Sequence, residues 1–117
     1  MTQVKPGSTQ NINKEAALLA CPVTYVMNRI GGRWKPVILY QLRNGPMRYS
    51  ELKRSIPAIT EKMLIQHLKE LQGDSLVIRK AEAVVPPFVT YCLSPSAEEL
   101  QPVLHALAEW GFRDSRR

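Results

Sequence analysis

The sequence predicts a mainly α domain with one small β-hairpin in its C-terminal half, on three observations. Apolar residues recur at helical spacing through most of the chain, the period falls towards 2 only after Gly73, and Gly, Pro and Asn cut the pattern into short pieces. The clearest helix is Ile59 to Gly73. Leu64, Leu68 and Leu71 fall at i, i+4 and i+7 on one stripe, while Lys62, Gln66 and Lys69 repeat that spacing on the opposite face. One side of this helix requires a core and the other presents long hydrogen-bond donors. Thr60 can cap its N-terminus and Glu61 suits the positive end of the helix dipole; Met63 stands where a capping box needs Glu or Gln.

In chain order, Pro22 suits the first turn of a helix in which Val23, Val26, Met27 and Ile30 face one way, until Gly31-Gly32 ends it. Cys21 lies at the N-terminal edge of that helix, where the dipole lowers a thiol pKa; the alternative is a small half-buried residue. A second helix is expected from Trp34 to Arg43, with a wide apolar face, stopped by Asn44-Gly45-Pro46. Met47 to Tyr49 can pair as a short strand, and Ser50 can cap a third helix, Glu51 to Ser55. Pro57-Ala58 then turns the chain into the Thr60–Gly73 helix. Two helices joined this tightly, the second with a polar outer face, have the sequence shape of a helix-turn-helix. Leu76 to Lys80 and Phe88 to Leu93 read as strands around a proline-containing loop, Glu82 to Pro87, so a β-hairpin follows as a wing. Ser94 and Pro95 open a last helix with Leu100, Val103, Leu104, Leu107 and Trp110 as its apolar stripe, and Pro102 is expected to kink it. The predicted fold is therefore a winged helix-turn-helix. It occupies residues 21–112, between a flexible polar extension at residues 1–20 and a basic tail at residues 113–117.

At 117 residues and net charge +6, the chain has room for one domain with a modest core. No apolar run approaches the roughly 20 residues of a membrane span and no leader-like segment opens the sequence, so the cytoplasm is the expected location. The charge is uneven. Lys35, Arg43, Arg48, Lys53, Arg54, Lys62, Lys69, Arg79 and Lys80 face four acids between residues 35 and 80, whereas residues 81–112 hold four Glu and no Lys or Arg. A basic excess around the polar-faced helix is the pattern of a surface that meets a polyanion. The two cysteines and two histidines form no metal-ligand spacing, and the scattered carboxylates form no catalytic set, so neither a metal nor another cofactor is expected.

Particular words in the chain resemble the HxlR-type winged helix-turn-helix transcriptional regulators of bacteria. They are the Cys21-Pro22 opening, Gly31-Gly32-Arg33-Trp34-Lys35, Gly45-Pro46-Met47-Arg48-Tyr49-Ser50-Glu51-Leu52, Val85-Pro86-Pro87, Tyr91-Cys92-Leu93-Ser94-Pro95 and Leu104-His105-Ala106-Leu107-Ala108-Glu109-Trp110-Gly111. The resemblance spans roughly Cys21 to Gly111. It implies a homodimer joined through its first and last helices, with the Thr60–Gly73 helix of each subunit entering a major groove of double-stranded DNA. Thr60, Lys62, Met63, Gln66, His67 and Lys69 match its recognition helix, Arg48 and residues of the wing match phosphate contacts, and Cys21 matches a cysteine with which some members sense oxidants or electrophiles. Side-chain chemistry agrees, because Lys pairs with phosphate or guanine and Gln can bond adenine through two hydrogen bonds. The chain departs from the pattern at Asp74-Ser75, where Asp-Gly or Ala-Gly is usual, which predicts a differently shaped helix end. It departs also at Glu82-Ala83, where Tyr-Pro is common, and at Cys92, which reads as a small core-facing strand residue or as a redox partner for Cys21.

The expected function is that of a non-enzymatic, sequence-specific DNA-binding regulator acting on a dyad-symmetric operator. Its signal is either an oxidant at Cys21 or a small apolar effector held between dimerisation helices. The competing class is a winged-helix interaction module that binds an acidic protein, but the outer face of the Thr60–Gly73 helix offers none of the aromatic anchors that protein interfaces favour.

Overall fold

A computed structural model describes residues 21–117, so the expected extension at residues 1–20 lies outside the described residues. The chain separates into two units after Gly32. The described part of the first unit is α1, Pro22–Ile30, with Pro22 in its first turn and Cys21 as N-cap. Ile30 is buried whereas Val23 and Met27 are exposed. Arg29 Nη1 donates to the Tyr25 hydroxyl at 3.0 Å, across one turn of the helix. Gly31 closes α1 through its N–H to the Met27 carbonyl at 2.8 Å, and a Cβ at this position would run into that same oxygen. Glycine is required there by close approach, which accounts for the sharp stop.

The second unit, residues 33–117, begins with α2, Lys35–Gln41, which tightens into a 3-10 turn at Leu42–Asn44. Asn44 is followed by Gly45 at φ 127, a conformation that glycine adopts without strain. Next come α3, Tyr49–Ser55, and α4, Glu61–Gly73. The wing is β1, Val77–Glu82, paired antiparallel with β2, Phe88–Leu93, in a register from Val77 opposite Leu93 to Glu82 opposite Phe88. Met47 pairs with Tyr91 through reciprocal backbone bonds of 2.9 and 2.8 Å, so the expected short strand is a single bridge on the free edge of β2. The core gathers Ile38, Leu39 and Leu42 from α2 and its turn, Leu52 from α3, Ile56 and Ile59 from the connection, Leu64, Leu68 and Leu71 from α4, and Leu76, Val77, Ala97 and Leu104 beyond it. Of the described residues, none belongs to a helix long and apolar enough to cross a membrane.

Besides the Met47 bridge and a first wing strand that runs on to Glu82, three details differ from the sequence-based expectation. The third helix starts earlier than Ser50, because Glu51 Oε1 accepts the Arg48 backbone N–H at 2.8 Å and makes Arg48 the N-cap. That is half of a capping box; the Arg48 side chain has no acceptor with which to complete it. The last helix is two helices, α5, Pro95–Glu99, and α6, Gln101–Asp114, meeting at Leu100. Pro102 has no N–H and crowds the carbonyl four residues back, so the helix is interrupted at Leu100 and restarts with Pro102 in the first turn of α6. Finally, α4 ends in a Schellman turn: Leu76 N–H reaches the Leu71 carbonyl at 2.9 Å and Ser75 N–H the Gln72 carbonyl at 3.0 Å. Ser75 sits at φ 59, the left-handed conformation that a glycine serves there without strain. The glycine-type turn thus forms without its glycine, against the expectation of a different shape.

Candidate nucleic-acid interface

The site is built on the α3–α4 pair. Ile56 N–H to the Lys53 carbonyl and Ile59 N–H to the Ile56 carbonyl, both 3.2 Å, fold the connection, while buried Ile56 and Ile59 anchor it to the core. Thr60 then caps α4, its Oγ1 accepting the Met63 N–H at 3.1 Å. Since Leu64, Leu68 and Leu71 are buried, helical geometry turns the opposite face outward. There Lys62, Gln66 and Lys69 are exposed and line a shallow open depression together with Ile65 and Glu70. The outward triplet expected from the sequence is brought together; Ile65 and Glu70 are additions to it.

The other expected recognition residues sit differently. Met63 is half-buried. His67 is turned to Glu70, its Nδ1 3.2 Å from Oε1, with a side chain only 16% exposed. The same carboxylate oxygen receives Lys35 Nζ from α2 at 3.0 Å, and the second oxygen accepts Gln66 Nε2 at 3.3 Å. These contacts, Lys35 foremost and then Gln66 and His67, hold the Glu70 carboxyl at a pKa of about 2. The i, i+3 and i, i+4 spacing of His67 and Gln66 to Glu70 was visible in the sequence as a signal. Lys35 was not.

Arg48 is exposed at the N-terminus of α3, its guanidinium 4.7 Å from the ring centroid of Phe88, the first residue of β2. A flat guanidinium over an aromatic face is held by cation–π attraction while its edge N–H groups remain free to donate. Arg79 and Lys80 are exposed on β1. The wing tip, residues 83–87, carries no charge, and Val85 at its apex is fully exposed. Positive charge on the wing therefore lies along its first strand and not at its tip.

Within the first unit, Cys21 is an exposed free thiol. The backbone N–H groups of Thr24 and Val23 and the Thr24 side chain lower its pKa, as a helix N-terminus does. In the second unit Cys92 is a half-buried free thiol on β2. Among the described residues, no three His, Cys, Asp or Glu side chains gather where they could hold a metal ion.

Comparison with known proteins gives one consistent result. The profile of the HxlR-like helix-turn-helix family matches residues 29–117. The chain is 50% identical over 92 residues to the uncharacterized HTH-type transcriptional regulator YkvN of Bacillus subtilis strain 168, a match that covers 79% of this chain and 78% of YkvN. Among solved structures it is similar to the redox regulator HypR in its oxidized form, with TM-score 0.76 and 38% identity over 80% of this chain and 96% of HypR. It is similar also to the reduced form of the transcriptional regulator YodB from B. subtilis, with TM-score 0.68 and 34% identity over 78% of this chain and 90% of YodB.

Proposed function

The chain belongs to the HxlR-like helix-turn-helix family, and on that premise we propose that it acts as a homodimer on a dyad-symmetric duplex, with α4 of each protomer in a major groove. That it is a DNA-binding transcriptional regulator and not an enzyme follows from the family. The finer reading is carried by one observation: α4 is capped by Thr60, buries its apolar stripe, and turns Lys62, Gln66 and Lys69 outward, while Arg48 and the basic residues of β1 are exposed as well. In this arrangement Lys62 and Lys69 meet phosphate or guanine, Gln66 reads a base edge, and Arg48, Arg79 and Lys80 hold the flanking backbone. Thr60, Met63 and His67 shape and brace the helix more than they face the duplex.

The dimer reading rests on exposed apolar surface. On α6, Val103, Leu107 and Trp110 are 51, 54 and 57% exposed at i, i+4 and i+7, and α1 separately exposes Val23 and Met27. Each surface is covered when it packs against a second copy across a two-fold axis, and for such a dimer half-sites about one helical turn of DNA apart are the geometric expectation. The signal reading rests on Cys21, exposed and with a lowered pKa, and on the likeness to HypR, a redox regulator: oxidation of this thiol shifts operator affinity. The protein works in the cytoplasm, where such DNA lies. Selection of duplexes from a random library at two salt concentrations, with reduced protein, is expected to yield a dyad-symmetric site bound more weakly at high salt. Enrichment of no duplex, or binding indifferent to salt, overturns the reading, and a normal oxidant response in Cys21→Ser overturns the thiol as sensor.

A further inference from the structure

We infer that Glu70 is a positioning residue for base reading: its carboxylate holds the Gln66 amide in place on the outer face of α4 and withholds Lys35 from the duplex. The inference rests on the reading of α4 as the helix that enters the groove. One carboxylate has three partners from two helices, with Lys35 Nζ at 3.0 Å and His67 Nδ1 at 3.2 Å on Oε1, and Gln66 Nε2 at 3.3 Å on Oε2. An acid on a surface that meets phosphate is unfavourable unless a cation offsets it, and Lys35 does so here from the neighbouring helix α2. The bond to Gln66 matters for recognition. A free glutamine must freeze three torsions when it reads a base, whereas one already held by Glu70 has lost part of that freedom beforehand. Its amide keeps a second N–H and the carbonyl oxygen, the donor and acceptor that adenine N7 and its N6 amino group require. Lys35, with a side chain 17% exposed, is engaged by the same group, so Lys62 and Lys69 are left as the cations of the α4 face that can displace counterions.

These roles predict a signature that loss of packing does not give. At the site selected from a library, Glu70→Ala is expected to lose about tenfold of the preference at the base pair read by Gln66. Its affinity for an unrelated duplex is expected to rise about threefold, with a steeper salt dependence, because Lys35 is released. Glu70→Gln keeps an acceptor oxygen for Gln66 but drops the charge, so it is expected to retain most of the preference while showing the same gain on unrelated DNA. Glu70→Ala added to Gln66→Ala is expected to change preference no further. Lys35→Met, which removes the link between helices but leaves Gln66 and Glu70 intact, is expected to keep the preference. If Glu70→Ala weakens every duplex by one factor with preference intact, Glu70 is a structural pin and the inference is wrong. Equal loss of preference in Glu70→Gln and Glu70→Ala rejects the hydrogen bond as its means. If the wild-type protein shows no preference that Gln66→Ala removes, the reading of α4 as the base-reading helix fails as well, and the inference with it.

Discussion

Helices α4 and α6 have nearly the same length and the same apolar spacing, yet they use it in opposite ways. In α4 the leucines at 64, 68 and 71 are all buried inside their own unit, and the polar face is left for a ligand. In α6 only Leu104 is buried, while Val103, Leu107 and Trp110 remain more than half exposed. A 3.6-residue period states that a face is apolar; it does not state which body covers it. The first stripe holds the monomer together and the second, in the proposed dimer, is covered by a partner, so substitutions in the two should fail by different observables.

The largest effect is expected in α4. Leu68→Ala removes a fully enclosed side chain and should cost about 3 kcal/mol of unfolding free energy, seen as a lower denaturant midpoint. A loss below about 0.5 kcal/mol would erase the contrast between the helices. In α6, Leu107→Glu should leave the fold intact but raise the dimer dissociation constant about a hundredfold, with operator affinity falling in parallel. Sedimentation unchanged from wild type would remove α6 from the interface. A smaller effect, about 1 kcal/mol, is expected when Thr60→Ala deletes the hydroxyl that accepts the Met63 N–H, because α4 then begins with an unpaired amide. Helical content and midpoint equal to wild type would show that tertiary packing alone sets the start of α4.

The smallest effect belongs to the polar face. Glu70 is held at a pKa of about 2 by Lys35, Gln66 and His67, below its value in the unfolded chain, so the ionised form is favoured by folding. Its contribution is therefore full above about pH 4.5 and is lost as pH falls towards 2, discounted because its side chain is 42% exposed. The difference in midpoint between wild type and Glu70→Gln should shrink across that interval. A difference that stays constant would mean that the carboxylate gains nothing from its partners.

Much of this was legible because it is local. Helical spacing placed Leu64, Leu68 and Leu71 inward and Lys62, Gln66 and Lys69 outward, and the change of period placed the hairpin. The errors lie at element ends, where one side chain decides: Glu51 moved the start of α3 to Tyr49, and Pro102 divided the last helix at Leu100. What the sequence did not disclose are the pairs that the fold creates between distant positions, Lys35 with Glu70 and Arg48 with Phe88. No periodicity within an element encodes them.

The Ser75 turn has a consequence for the shape of DNA that this protein accepts. A serine in the left-handed conformation is maintained at a cost of about 1 kcal/mol, offset by the enclosed pair Leu71 and Leu76 on either side of it. A junction fastened in this way is expected to resist hinge motion. Helix and wing then behave as a caliper of set opening, and in the proposed complex a duplex must bring its groove and flanking strand to that gauge. Sequence steps that bend or narrow readily will meet it with the least deformation, so in that complex selectivity is expected to extend to base pairs that no side chain touches.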